Sequence, residues 1–155
     1  MPTAAPAVIR PAWGADMTSL RRVDPRMTAN PARARMASIL LGQGRSWIAD
    51  VGGVPAGFAL TSLGFFSKPM IELLVVAEQH QRKGIGLMLV NHCEAAHADD
   101  RIFTSTNASN TAANALFAKA GFEGSGIVYN LDPGDPELIY VRRRPPKMTF
   151  IPYRS

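Results

Sequence analysis

The sequence is short of the residues on which several kinds of chemistry depend. Among 155 residues Cys93 is the single cysteine, which excludes an internal disulfide and favours a cytoplasmic setting. The three histidines, His80, His92 and His97, show no ligand spacing with carboxylates or cysteines, so no metal is expected. Long apolar runs are missing too: Ile39 to Leu41 and Leu73 to Ala77 fall far short of the roughly 20 residues that cross a bilayer. No membrane partner is expected. Met1 to Val8 is rich in Pro and Ala without a charged start, and does not read as a secretory signal. Charge of one sign is only mildly in excess, with 17 Lys and Arg against 12 Asp and Glu, a formal +5. Its one dense run is Arg142, Arg143 and Arg144. No aromatic-interleaved basic patch accompanies that run, so nucleic acid is not expected. The three arginines read either as a solvated strand end or as an attraction for an anionic small ligand.

What remains is enough for a folded protein. Hydrophobic residues make up 46% and charged residues 19%, too apolar a balance for a disordered chain. The length suits one domain over residues 1–155, with its core at about 7–144 and a Pro-rich tail at 145–155. Strands are expected at Ala7 to Pro11, Ser46 to Asp50, Ala56 to Leu63, Met70 to Val76, Ile102 to Asn107, Gly126 to Leu131 and Glu137 to Arg143. Asp16 to Val23 is weakly helical. Asn30 and Pro31 supply an N-cap and a first helical residue for a helix that runs to about Leu41 and stops at Gly42. From Gly84 the apolar period becomes helical, with Ile85, Leu89, Cys93 and Ala96 on one stripe. A further helix spans Asn110 to Ala120 and ends at Gly121.

Between the apolar strand and the striped helix lies Gln81, Arg82, Lys83, Gly84, Ile85, Gly86. Glycines there let the backbone approach a ligand, and unpaired N–H groups at a helix start make an anion site reinforced by the helix dipole. A diphosphate would fit, with Arg82 and Lys83 adding charge. Two better-known phosphate loops are excluded: Leu89 stands where a dinucleotide fingerprint needs its third Gly, and the Gly-Lys-Ser/Thr ending of a P-loop is absent.

The pattern Gln81-x-x-Gly84-x-Gly86, five residues after Val76, resembles the acetyl-coenzyme A loop of the GNAT N-acetyltransferase superfamily. Asn110, Ala113, Leu116, Phe117, Lys119, Gly121 and Phe122 resemble that family's later motif. The resemblance covers about Met70 to Leu131 and implies an α/β (α+β) domain, a mixed and mostly antiparallel sheet flanked by helices and splayed between its fourth and fifth strands. It implies acetyl-CoA as co-substrate, transfer to a primary amine by direct attack, and a small-molecule or peptide amine acceptor; a homodimer is left open. The backbone of Arg82, Lys83, Gly84, Ile85, Gly86 and Leu87 would hold the pyrophosphate, with Gln81 in the same motif. Leu74, Val75 and Val76 would pair with the pantetheine arm, and Val76 or its neighbour would supply an N–H for the oxyanion. Asn110 would contact the cofactor, although an N-cap alone explains it. Glu72 is the base candidate, placed by strand alternation on the same face as Val76. By the same resemblance Phe117 would stand beside the cofactor, at the position where the family commonly has Tyr. The missing hydroxyl leaves Tyr129, Tyr140 or water to give the thiolate a proton, or no acid at all, with Tyr129 preferred. It also keeps open a different class of function, a non-catalytic acyl-CoA-binding sensor.

Overall fold

The computed structural model describes residues 3–144; the Pro-rich tail expected at 145–155 lies outside them. Seven strands form one sheet in the order β1-β2-β3-β4-β5-β7-β6. They are β1 (Ala7–Pro11), β2 (Ser46–Val51), β3 (Val54–Phe65), β4 (Lys68–Val76), β5 (Arg101–Asn107), β6 (Glu123–Val128) and β7 (Glu137–Arg143). Only β4 and β5 run parallel; all other neighbours are antiparallel. The fold is therefore an α/β domain on a mixed sheet.

Helices cover both faces because both faces of the central strands are apolar. On one face lie α1 (Met17–Val23), α2 (Arg26–Ala29) and α3 (Pro31–Gly42). Leu20, Val23, Met27, Ala37 and Leu40 pack there against Ile48, Phe58 and Leu60, joined by Leu73 and Val75. The other face takes α4 (Ile85–Ala95) and α5 (Thr111–Lys119), through Ile85, Leu89, Val90, Cys93 and Phe117 against Ala59, Ile71 and Ile102, with Leu74 and Val76. Fully burying one such Leu or Ile contributes about 1.5–3 kcal/mol, so these two clusters hold the layers together.

Local sequence accounts for most element ends. The Asn30 side chain accepts from Arg33 N at 3.1 Å, capping α3 with Pro31 as its first residue. The weakly patterned region before it is tied by a buried carboxylate. Asp24, 1% exposed, accepts from Arg26 Nε at 3.0 Å and Arg33 Nε at 2.7 Å, which fixes α2 and α3 against the end of α1. The short α2 was not legible in the pattern. Of the basic run, Arg142 pairs with Glu94 at 2.6 Å, and Arg144 donates to the carbonyls of Glu94 and His97 at the C-terminal end of α4. That end carries the negative pole of the helix dipole. Two of the three arginines thus lock α4 to β7.

The helical stripe of α4 is carried by Ile85, Leu89 and Cys93; Ala96, expected on it, is the exposed C-cap. Cys93 is fully buried, and burial pushes its thiol up to about 12. Treating the native protein with a thiol-specific chromogenic reagent at neutral pH is expected to release no colour within an hour, and one equivalent after unfolding in denaturant. Rapid native labelling would show that α4 opens at Cys93.

Candidate active site

The sheet opens between β4 and β5. Their pairing consists of Met70 with Phe103 and Ile71 with Thr104, closed by the Thr104 hydroxyl on the Ile71 carbonyl at 3.1 Å. Beyond Ile71 the β4 backbone has no partner on that side. Ala77 N donates to Ala56 O at 2.8 Å, so alternation turns the N–H and C=O of Val76 and Leu74 away from β3 and into the opening. The Val76 carbonyl receives the Gln81 side chain at 3.0 Å. The Val76 N–H and the Leu74 peptide groups remain available to an extended ligand lying in the gap.

The loop expected to bind phosphate stands at the mouth of this opening. A single 3₁₀ turn at Glu78–His80 follows β4, and the chain then passes through left-handed conformations at Arg82 (φ +59°) and Gly84 (φ +83°). Gly84 has no Cβ to oppose that φ. The first intrahelical bond of α4 runs from Met88 N to Gly84 O at 3.0 Å, and no side chain caps the helix. The N–H groups of Ile85, Gly86 and Leu87 therefore form an open donor cluster at the positive end of the helix. Arg82, Lys83 and Gly84 are exposed around it. Lys83 folds back onto the Gln79 carbonyl at 3.1 Å. Gly86 serves a different purpose, because a Cβ there would stand 2.8 Å from Leu116 Cδ2. Its absence lets α4 and α5 pack closely.

The structure changes the placement of Glu72. Leu60 of β3 pairs with Leu73, but the next residue, Thr61, pairs with Ile71. Glu72 is thus the extra residue of a β-bulge. The bulge reverses the alternation: Ile71, Leu74 and Val76 share the α4 face, whereas Leu73 and Val75 face α1–α3. Glu72 accepts from the Ser62 hydroxyl at 2.7 Å, and Ser62 alternates with Leu60 and Phe58 toward α1–α3. The carboxylate accordingly lies on the opposite face from Val76, beside the opening and half-buried. Strict alternation failed because it assumes an unbroken ladder.

The later motif is mainly architectural. Asn110 caps α5, accepting from Ala113 N at 3.2 Å. Phe117, 3% exposed, packs its ring against Phe122 and Tyr140 at 5.5 and 5.7 Å between centroids. Tyr140 donates its hydroxyl to Asn114, whose amide in turn reaches the carbonyls of Asn107 and Asn110. Asn114 escaped the sequence reading. An Asn inside a helix one turn after its cap was the signal, since such a residue usually answers backbone groups nearby. Tyr129 lies just beyond β6, which spans Glu123–Val128 rather than Gly126 to Leu131, so it sits on the connecting loop and is 65% exposed. The chain turns there because Asn130 adopts φ +70°. This loop is fastened to the end of β5, where Asn107 donates to Asp132 at 2.8 Å and Ser109 to Asp135 at 2.6 Å.

A sheet parted beside a helix start with open amides is the architecture of the GNAT acetyltransferases. The chain belongs to the Acetyltransferase (GNAT) family, whose family model matches residues 15–122. A GNAT-family acetyltransferase from Bacillus cereus ATCC 10987 is 28% identical, with a TM-score of 0.82 over 90% of this chain and 99% of that one. The ribosomal-protein-S18-alanine N-acetyltransferase of Escherichia coli shares the fold at 22% identity and a TM-score of 0.74, over 89% and 94% of the two chains. The diaminobutyrate acetyltransferase of Paenibacillus lautus, solved with its substrate and coenzyme A, shares it at 18% identity and a TM-score of 0.70, over 88% and 95%. No curated protein sequence matches this chain.

Proposed function

We propose that the protein transfers an acetyl group from acetyl-CoA to a primary amine by direct attack. The observation that carries this reading is the opening between β4 and β5, with the free Val76 N–H inside it and the uncapped start of α4 at its mouth. The opening offers backbone partners to an extended amide-bearing arm, and the helix start offers donors to its diphosphate.

Each group then has a defined task. Glu72 takes a proton from the ammonium form of the acceptor, directly or through a water, leaving the nitrogen lone pair free. The nitrogen bonds to the thioester carbon, and the Val76 N–H donates to the oxygen that gains negative charge. The carbon–sulfur bond breaks, the thiolate departs and takes a proton, and the nitrogen gives its second proton to solvent water, from which the acid is replenished. Tyr129 is the hydroxyl this reading assigns to the thiolate; it makes no hydrogen bond among the described residues, whereas the Tyr140 hydroxyl is engaged by Asn114. Phe117 cannot donate. That replacement supports a second reading, an acyl-CoA sensor without turnover.

Titration with coenzyme A, followed by incubation with acetyl-CoA and a panel of amines, separates the two. Binding with release of one thiol per acetylated amine is expected. Binding without product across the panel would favour the sensor, and no binding at all would overturn both.

A further inference from the structure

We infer that the acceptor carries an anionic group, a carboxylate in the first instance, on an apolar body, and that a cavity between α1, α2 and α3 holds that end. This inference rests on the acetyltransferase reading. The cavity, about 450 Å³, is lined by Met17, Met27, Pro31 and Ala34, with Arg21 and Arg35 among its walls.

Three observations point to an anion. Five arginines and a single carboxylate, Asp24, occur between Met17 and Gly42, so the layer is strongly cationic. Asp24, inside the layer, is already engaged by Arg26 and Arg33, and Asp16, just before it, by Arg10. Arg21 and Arg35 have no ion-pair or hydrogen-bond partner among the described residues. Two free guanidiniums beside an apolar floor suit a ligand that is greasy along its length and negative at one end.

The cavity also belongs to the helical layer on the side of the sheet where the base sits. Its floor residues Met27 and Ala34, and Met17 beside them, belong to the same apolar cluster as Leu73 and Val75 of the unpaired β4 segment. The bulge turns Glu72 toward that same face. An acceptor seated between the helices would therefore present its amine to the side of the sheet on which the base lies.

The test uses ω-aminoalkanoates of increasing chain length, each beside its primary amide, which keeps the amine and the body but removes the charge. Acetylation of the carboxylate by the full-length protein is expected to exceed that of the amide at least about tenfold in kcat/KM at the best length. The R21Q/R35Q double variant should erase that preference and leave coenzyme A affinity unchanged. Amine-free 4-phenylbutyrate reports on the cavity without turnover. Its binding by calorimetry should weaken about tenfold in the double variant, and also with added salt. Amides used as well as carboxylates would overturn the inference, even if phenylbutyrate bound, because the cavity would then serve a separate effector. Phenylbutyrate binding that is absent or unchanged in the double variant would overturn it as well. Loss of coenzyme A binding in the parent protein is a different failure, that of the transferase reading.

Discussion

Replacing Glu72 by Gln is expected to slow acetyl transfer by about 10² to 10⁴-fold while coenzyme A affinity hardly changes. The substitution is a clean one. Gln keeps a side-chain oxygen to accept from the Ser62 hydroxyl, the bond that orients Glu72 at 2.7 Å, so the bulge and the side-chain position persist. Only the ability to take a proton is removed. The loss should appear in single-turnover acetylation at a pH where the acceptor is an ammonium ion, and shrink as rising pH supplies neutral amine from solution. Ser62→Ala provides a companion: the carboxylate remains but loses its tether, and a smaller loss is expected. A rate for Glu72→Gln within twofold of the parent at every pH, with chemistry rate-limiting, would place the base elsewhere.

The bulge also marks a boundary of what the sequence discloses. Most elements were legible because their signals are local: Asn30 and Pro31 start a helix, Gly121 follows one, and the Met70 to Val76 run is apolar enough for a central strand. A bulge is a property of two strands. Nothing in Lys68–Val76 alone tells that Leu60 will pair with Leu73 and Thr61 with Ile71. Alternation counted along one strand therefore assigned Glu72 to the wrong face. Tyr129 was misplaced for a related reason, since the end of β6 is set by its pairing with β7 and not by its own β-forming residues.

The site divides in the same way. The loop was readable because its function uses backbone amides, and a Gly-x-Gly opening a helical stripe is a local statement about backbone. The opening beside it was reached only through family resemblance, because the separation of β4 from β5 depends on which strands fail to pair. For the acceptor side the resemblance pointed only to the region Asp16 to Met36 and the closing hairpin, and its chemistry was hidden. Arg21 and Arg35 lie 14 positions apart on different helices, and what distinguishes them from Arg26 and Arg33 is the lack of a carboxylate partner, which is a three-dimensional fact. Gly86 illustrates the converse. Sequence alone groups it with Gly84 as a ligand-binding glycine, but its missing side chain makes room for Leu116.

That distinction decides how the cofactor loop should be tested, and Gly84→Asp is expected to weaken coenzyme A binding by 100-fold or more, to the point of loss. Gly86→Asp is the less clean substitution, because its Cβ would stand 2.8 Å from Leu116 Cδ2 and force that side chain to shift, mixing a packing change with the charge. Gly84 has open space where a Cβ would stand. Its cost is conformational: φ +83° disfavours any residue with a Cβ by about 1–2 kcal/mol, which a domain of ordinary stability survives. The new carboxylate would lie beside the amides of Ile85, Gly86 and Leu87, where it repels a diphosphate and competes for the same donors. Gly84→Ala carries the strain without the charge, so calorimetry on the pair separates the two effects. Ala should lose a modest fraction of the affinity, and Asp nearly all of it. Coenzyme A should correspondingly raise the melting temperature of the parent and of Gly84→Ala but not of Gly84→Asp. A folded Gly84→Asp protein that binds coenzyme A as the parent does would remove the start of α4 from the binding site.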